Sequence, residues 1–332
     1  MSSSGFAYRA PWWLPGGNAQ TIWAAVASQR HVGAAPRWRR ERWATPDGDF
    51  IDVDQAQHPS APEAPLLVLF HGLEGSSASQ YAVAFADFAA AKGVAFAVPH
   101  FRGCSGELNH APRAYHSGDF AEVDWILERF ARENPLRPLL AVGVSLGGNA
   151  LMRWAGEMGD AAAQRVRAVA AVCSPLDLAA GGHAIGRGFN RLVYTRMFLR
   201  SMVPKALKKL EQHPGLFDRA SLVAARDLYE FDNLFTAPLH GFQGTDDYWS
   251  RASAKPVLHR IRVPALALNA RNDPFVPASS LPTAREAGTH VTLWQPAQGG
   301  HVGFPVSHGP LGLPGHVRAM PEAVGNWLLS HV

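Results

Sequence analysis

The segment GVSLGG (143–148) constrains this chain more than any other. It follows the apolar run PLLAVGV (138–144), which is typical of a buried strand, and precedes the helix-like segment NALMRWAGEM (149–158). A serine on a sharp turn between a strand and a helix has a strained backbone and an exposed hydroxyl, and glycines beside it let neighbouring segments come close. Because a hydroxyl alone is a poor nucleophile, the motif predicts that Ser145 has a histidine and a carboxylate nearby.

The candidate for the carboxylate is Asp273, in the segment NARNDPFVP (269–277). The apolar run VPALAL (263–268) precedes it, and an orienting acid is expected at the C-terminal end of a late strand. Because asparagine, aspartate and proline favour turns, a turn without chemistry is the alternative. Asp246 and Asp247 form a second acidic pair, but they precede the strand that should present the acid.

The candidate for the histidine is His301, which lies among glycines in QGGHVGF (298–304). This segment follows the last predicted strand, HVTLW (290–294), and glycines suit a loop that reaches over a sheet edge. A single histidine among the 15 in the chain is more often structural than catalytic. The ordered set of Ser145, Asp273 and His301 is more specific, because its order along the chain is that of α/β-hydrolases.

A second glycine-rich turn, HGLEGSS (71–77), directly follows the apolar run PLLVLF (65–70). In serine hydrolases of this architecture, a loop after an early strand and the residue after the nucleophile each give one backbone N–H to an oxyanion hole. Those residues are Leu73 and Leu146 here, and only their backbone is needed. His71 is expected to orient the loop. The alternative is a strand-to-helix turn without chemistry.

Composition allows a large folded core and argues against several classes of function. The chain has 332 residues, of which 47 % are hydrophobic and 17 % charged, so global disorder is not expected. A formal charge of +4 is a mild excess, and with no nucleic-acid-binding motif we expect no nucleic-acid partner. The two cysteines, Cys104 and Cys173, lack metal-ligand spacing and are too few for a disulfide framework. The sequence predicts no metal site.

The N-terminal segment 1–10 is serine-rich and lacks a cationic start followed by a long apolar core. No secretory signal is therefore expected. No run of about 18 apolar residues is present, so we expect no membrane-spanning helix. The sequence predicts a cytoplasmic protein.

Continuous apolar strands alternate with helical segments along most of the chain. This pattern predicts an α/β fold with a mostly parallel central sheet and helices on both faces. Residues 37–57 contain the turn signal PDGD and predict an N-terminal antiparallel hairpin at one edge. The predicted strands are 65–70, 94–98, 138–144, 167–173, 263–268 and 290–294, and the predicted helices are 79–92, 117–132, 149–158 and 320–330.

A long insertion, residues 176–260, separates the fourth of these strands from the strand before Asp273. It is too long for a simple crossover. We interpret it as a helical cap over Ser145, inserted into a single domain that spans residues 1–332.

Within the insertion, residues 187–210 mix apolar and basic side chains at helical spacing. Phe198 and Met202 are expected to contact substrate. The apolar side is expected to hold Leu192, Tyr194, Phe198, Met202, Leu207 and Leu210. The basic side chains are expected to be solvated or to meet anions, and they are Arg191, Arg196, Arg200, Lys205, Lys208 and Lys209. A sharper hypothesis is that this basic face contacts lipid or acidic head groups.

Several motifs together resemble the YheT-like branch of the α/β-hydrolase family, which also contains plant embryogenesis-associated and animal lung-type abhydrolases. The resemblance spans almost the whole chain. It rests on WWLP (12–15), QTIW (20–23), HGLEGSSASQY (71–81), FRGCSG (101–106), GVSLGGN (143–149), FD (231–232), FTAPL (235–239), GF (241–242), NDP (272–274) and GGHVGF (299–304). One departure lies in GGNAQ (16–20), where relatives usually place Asn-Pro-His-x-Gln.

The resemblance implies an α/β-hydrolase fold, a triad of Ser145, Asp273 and His301, hydrolysis of carboxylic esters and no cofactor. The first hypothesis is therefore a serine esterase for short- to medium-chain acyl esters, a small-molecule substrate with lipid-like character. An acyltransferase that uses the same acyl-enzyme is an alternative, as is a non-catalytic binding protein on this fold. Contact with a membrane surface and the oligomeric state stay open.

Overall fold

Eight strands form the central sheet of residues 5–307 and 315–332, the part of the chain that the structure, a computed structural model, describes. They are β1 Trp38–Ala44, β2 Phe50–Ala56, β3 Leu66–Phe70, β4 Ala95–Pro99, β5 Leu139–Val144, β6 Ala168–Val172, β7 Ala265–Leu268 and β8 Val291–Trp294. Their order across the sheet is β1-β2-β4-β3-β5-β6-β7-β8. The pairs β1–β2 and β2–β4 are antiparallel, and the other neighbouring pairs are parallel. The predicted mostly parallel sheet with an N-terminal hairpin is confirmed.

Helices precede, connect and follow the strands. They are α1 Gly16–Val26, α2 Gln80–Lys92, α3 Phe120–Glu133, α4 Leu146–Met158, α5 Leu178–Ile185, α6 Gly188–Asn190, α7 Arg196–Gln212, α8 Arg219–Val223, α9 Leu228–Phe231, α10 Ala237–Leu239, α11 Thr245–Ala252, α12 Ala284–Ala287 and α13 Ala319–Leu329. Short 3-10 helices are found at Gly159–Gln164, Lys255–Arg260 and Ala278–Ser280, and π-helical turns at Arg191–Thr195 and Asp232–Thr236. The helix predicted at 149–158 begins earlier, at Leu146, directly after the serine turn.

The sheet is buried on both faces, as the continuous apolar strands predict. Successive side chains of a strand point to opposite faces. In β3, Leu67 and Leu69 pack in a cluster with residues of α2 and α13. Leu66 and Val68 pack instead in a cluster with residues of α3 and α4. Helices therefore cover both faces, and two hydrophobic cores form.

The insertion lies between the end of β6 and the start of β7, and it contains α5 to α11. Small apolar clusters hold these helices together separately from the two main cores. The end of the insertion returns to the core that contains residues of α3 and α4, where Leu258 is buried. Among the described residues, no helix has the length and apolar character needed to cross a membrane.

The parallel strands place the candidate functional residues at one edge of the sheet. Ser145 directly follows β5, and Asp273 and His301 lie in the loops that follow β7 and β8. Because the carboxyl ends of parallel strands meet at the same edge, these three loops converge there.

Glycine packing lets α4 approach β5 closely enough to form the turn at Ser145. A Cβ atom on Gly148 would lie 2.7 Å from the carbonyl oxygen of Gly143 and would overlap the hydroxyl of Ser174. A Cβ atom on Gly143 would lie 2.5 Å from the Cα atom of Gly148. The two glycines thus meet backbone to backbone, where no larger residue fits.

We expect Gly148→Ala to destabilise the protein by about 1–3 kcal/mol, because the added methyl group overpacks this crossing. The free energy of unfolding from urea titration measures the change. Gly5→Ala is the matched control, because no atom of residues 5–307 or 315–332 lies within 4 Å of the position that its Cβ would take. Equal stability of the two variants would contradict the close backbone contact.

Candidate active site

Ser145 lies on a strained turn at the start of α4. Its backbone has φ 53° and ψ −119°, a left-handed conformation that non-glycine residues rarely adopt. Its N–H donates to the carbonyl oxygen of Val172 at 2.9 Å, which ties the turn to the neighbouring strand. Strain of this kind persists only where the surrounding structure determines it and is concentrated at functional sites.

The three candidate side chains form one hydrogen-bonded line. The Oγ atom of Ser145 lies 3.0 Å from Nε2 of His301, and Nδ1 of His301 lies 2.9 Å from Oδ2 of Asp273. The other carboxylate oxygen of Asp273 accepts the N–H groups of Phe275 at 2.7 Å and Val276 at 3.2 Å. Every member therefore has a fixed orientation, and the arrangement allows proton transfer from the serine to the histidine.

The alternative acidic pair lies elsewhere. Asp246 and Asp247 are in the first turn of α11, within the insertion. Asp246 accepts the hydroxyl of Tyr229, and Asp247 forms an ion pair with Arg251. The structure thus brings Asp273 to His301 and leaves the pair in the insertion.

The two amides predicted for an oxyanion hole line the same cavity as Ser145. Neither the N–H of Leu73 nor that of Leu146 has a hydrogen-bond acceptor within the described ranges. Leu146 is the first residue of α4, where helix N–H groups are unpaired and the helix dipole favours negative charge. Both donors are therefore free for an oxygen that gains negative charge.

Buried side chains hold the loop that carries Leu73. The ring of His71 is fully buried, and its burial lowers its pKa to about 3, so it is neutral. Its Nε2 accepts the N–H of Phe101 at 3.0 Å, which leaves Nδ1 to donate to the carbonyl oxygen of Gly72 at 2.8 Å. The hydroxyl of Tyr81 accepts the N–H of Gly72 at 2.9 Å. His71 has the orienting position expected for it.

Helix α1 supports the histidine loop, a role that the sequence analysis did not assign. The hydroxyl of Thr21 accepts the N–H of His301 at 2.8 Å and donates to the carbonyl oxygen of Gly17 at 2.7 Å. The side-chain oxygen of Gln20, which is fully buried, accepts the N–H of Gly299 at 2.9 Å. Two adjacent side chains of α1 therefore hold the histidine loop in place.

The same helix also contacts the loop of the carboxylate. The amide of Asn272 donates to the side-chain oxygen of Gln20 at 3.0 Å and accepts the N–H of Gly300 at 3.0 Å. Gly17 packs against the backbone of Asn272, where a Cβ atom would overlap the carbonyl oxygen. The motifs QTIW and NDP contain Gln20 and Asn272, but nothing in the sequence shows that residues 252 positions apart meet.

A cavity of about 150 Å³ lies between the insertion and the sheet edge. Ser145, Leu73 and Leu146 line it on one side. Phe198 and Met202, which were predicted to contact substrate, line it on the other, together with mostly apolar side chains. The cavity is suited to an apolar group placed beside the serine.

The helix that carries Phe198 differs from its predicted pattern at both ends. Leu192, expected on the apolar side, is 58 % exposed, and Lys209, expected to be solvated, is 1 % exposed. A π-helical turn at Arg191–Thr195 changes the register of the helix, which shifts its faces. The Nζ atom of Lys209 donates to the carbonyl oxygens of Asn109 and Ala111 at 2.5 and 2.9 Å.

Three charged groups of the cavity have defined partners. The Nζ atom of Lys205 lies 2.9 Å from the carboxylate of Glu74, so this cation joins the insertion to the loop of Leu73. Burial lowers the pKa of Lys209 to about 8. Burial raises the pKa of Asp232 to about 6, and its carboxylate accepts the hydroxyl of Thr236 and the indole N–H of Trp249.

One cluster of metal-ligand atoms lies beside this site. Ligand atoms of Cys173, Asp273 and His301 are within 4.8 Å of one another. Burial, with the nearby carboxylate of Asp273, raises the pKa of the Cys173 thiol well above its usual value. A metal needs the thiolate, and the imidazole and the carboxylate already form a hydrogen bond with each other. This chemistry does not fit a metal site.

Comparison with known proteins shows the family and fold of this chain. Residues 65–307 match the α/β-hydrolase fold family. The chain is 39 % identical over 279 residues to YheT of Escherichia coli (strain K12), a protein named as an esterase, across 83 % of this chain and 81 % of that protein. It is 29 % identical over 280 residues to phospholipase ABHD3 of Mus musculus, across 81 % of this chain and only 66 % of the mouse protein. The fold also resembles that of the esterase Pf2001 of Pyrococcus furiosus, with a TM-score of 0.53 and 14 % identity over 92 % of this chain and 96 % of that one.

We expect Thr21→Val to slow covalent labelling of Ser145 by a fluorophosphonate about tenfold. The change keeps the side-chain shape but leaves the buried N–H of His301 without an acceptor, which costs about 1–3 kcal/mol and displaces the loop. Ser28→Ala is the matched control, because the Ser28 hydroxyl also donates to a carbonyl four residues earlier but does not reach the site. An unchanged labelling rate in a folded Thr21→Val protein would show that Thr21 does not position His301.

Proposed function

The chain belongs to the α/β-hydrolase fold family, in its YheT-like branch, and we propose that it is a serine esterase for short- to medium-chain acyl esters. The observation that carries this proposal is the hydrogen-bonded line from Asp273 through His301 to Ser145, with distances of 2.9 and 3.0 Å. Relatives named as an esterase and a phospholipase support hydrolysis of carboxylic esters.

In this proposal, His301 takes the proton of Ser145 as the serine oxygen attacks the ester carbonyl. Asp273 keeps the imidazole in the tautomer that presents Nε2 to the serine, and it stabilises the imidazolium that forms. The alcohol leaves with the proton held by His301, and the acyl group stays on the serine oxygen. Water then attacks the acyl-enzyme with His301 as the base, which restores the free serine.

The amide groups of Leu73 and Leu146 bind the oxyanion that forms in each step. Their N–H groups are preorganised, since the loop and the helix start hold them before substrate arrives. One such donor typically lowers the barrier by about 3 kcal/mol. The start of α4 adds a favourable dipole at the same point.

The apolar wall of the cavity supports an acyl chain as the group held beside Ser145. Phe198 and Met202, which belong to the insertion, line the same cavity as the serine. An apolar chain that leaves water for this wall gains roughly 0.8 kcal/mol for each methylene that is buried. The substrate class is therefore an ester with an apolar acyl group and lipid-like character.

An acyltransferase uses the same acyl-enzyme and differs only in the acceptor. Water and an alcohol compete for the acyl group, and their ratio of products reports which acceptor the site favours. Binding without catalysis does not require a serine, a histidine and an aspartate in one hydrogen-bonded line. Hydrolysis is therefore the first candidate, and the competing alcohol belongs in its test.

We expect Ser145→Ala to lower kcat on p-nitrophenyl esters by roughly a million-fold, because the nucleophile is lost. The series from acetate to long acyl chains is measured for the parent protein and the variant, with and without ethanol. Ser201→Ala is the control, since the Ser201 hydroxyl bonds to the carbonyl of Phe198 within α7 and has no contact with His301. Full turnover by a folded Ser145→Ala protein would refute the serine mechanism, and ethyl esters as the main product would favour the acyltransferase.

We expect Met202→Ala to move the preferred acyl chain toward longer esters, because it enlarges the cavity wall. Each further methylene accommodated should raise kcat/KM for the longer ester about fourfold. Met197→Ala is the matched control on the same helix, because Met197 is 53 % exposed and does not line the cavity. The same chain-length profile in both variants would place the acyl group elsewhere.

A further inference from the structure

The insertion exposes a group of large apolar side chains on its outer surface. Phe189 is 51 % exposed, Leu192 58 %, Val193 36 % and Met197 53 %. All four lie within nine residues of chain, on α6, the π-helical turn and the first residues of α7. Contiguous exposed apolar groups on a folded protein commonly mark a contact surface.

Arginines surround these four residues in the chain. Arg187, Arg191, Arg196 and Arg200 are all exposed. Within the described ranges none of them forms an ion pair. Arg226 binds the carboxylate of Glu230 at 2.8 Å and lowers its pKa, and the charge of Arg191 adds a smaller effect in the same direction. We call the four apolar and four arginine side chains the arginine patch.

The patch is a fixed part of the fold. Tyr194 is 4 % exposed, and its hydroxyl donates to the side chain of Asn18 at 2.8 Å. The hydroxyl of Thr195, which is also buried, donates to the carbonyl oxygen of Ile185 at 2.9 Å. The amide of Asn190 donates to the carbonyl oxygens of Ala184 and Pro274. These bonds anchor the inner side of the segment, so its outer side is held in place.

We propose that the arginine patch docks this protein on anionic lipid membranes. Apolar side chains with arginines beside them suit the boundary between head groups and acyl chains, where the arginines meet lipid phosphates and the apolar groups leave water. A second copy of the chain fits less well, because a two-fold contact would place the same four unpaired arginines against each other.

Docking through the patch would bring the cavity close to the lipid. The helix that exposes Met197 on its outer side directs Phe198, the next residue, into the cavity wall. Lipid and cavity therefore contact neighbouring residues of one helix. This inference goes beyond the proposed esterase activity, because docking needs no chemistry at Ser145.

Vesicle co-sedimentation of the full chain tests the proposal. We would compare vesicles of phosphatidylcholine alone with vesicles that also contain about 30 % phosphatidylglycerol, at low and high salt. The parent and Ser145→Ala proteins are both expected to bind the anionic vesicles, and added salt should weaken that binding. Arg191→Gln with Arg196→Gln should weaken it about 25-fold, roughly fivefold for each charge.

Two further variants separate the patch from charge and exposure in general. Leu192→Ser with Met197→Ser should weaken binding at least tenfold, because both side chains are expected in the acyl boundary. Arg132→Gln with Leu136→Ser is the matched control, since Arg132 is exposed and Leu136 is 68 % exposed. Leu136 precedes β5, so the control pair lies at the sheet edge opposite Ser145.

Three results would overturn the proposal. The first is a parent protein that binds neither kind of vesicle. The second is a control pair that loses as much binding as the patch variants. The third is a parent dimer in sedimentation velocity that the patch variants convert to monomers without any vesicle binding, which would make the patch a contact between copies. Loss of esterase activity in Ser145→Ala with unchanged docking would show that docking does not depend on the chemistry at Ser145.

Discussion

The site depends on one backbone contact, the meeting of β5 and α4 at Gly143 and Gly148. This contact allows α4 to begin directly after Ser145, so the serine takes a left-handed conformation at the end of the strand. From that position its hydroxyl meets His301, and the next amide, that of Leu146, has no acceptor among the residues that the structure describes. The proposed nucleophile and one proposed oxyanion donor thus lie on a single turn, and a side chain at Gly148 would strain that turn.

Much of the fold follows from local pattern. The runs that became β3, β5 and β6 are continuous and apolar because the sheet is covered on both faces, and the glycine-serine turn is a local signal. The candidate residues Ser145, Asp273 and His301 could be predicted for the same reason, since each follows a strand in an order known for one fold. Patterns of this kind depend only on neighbours in the chain.

Two parts of the structure could not be predicted from the sequence pattern because they depend on contacts between distant residues. Helical spacing predicted that Leu192 would be covered and Lys209 solvated, but the π-helical turn and the carbonyl groups of Asn109 and Ala111 reverse this. The polar side chains of Gln20 and Thr21 gave no sign of their role, because their partners lie in loops near the other end of the chain. The role of a buried polar residue depends on its hydrogen-bond partner, and periodicity does not contain that information.

The ion pair between Glu74 and Lys205 has a consequence for motion. Glu74 adjoins Leu73, the proposed oxyanion donor, and Lys205 lies on α7, which lines the cavity. If α7 swings outward to admit a substrate, the carboxylate loses its cation and the loop that carries the donor loses a tether. Outward movement of α7 would therefore weaken the support of the loop that carries Leu73, and the hydroxyl of Tyr115, which bonds to both the N–H and the carboxylate of Glu74, would be left to hold it.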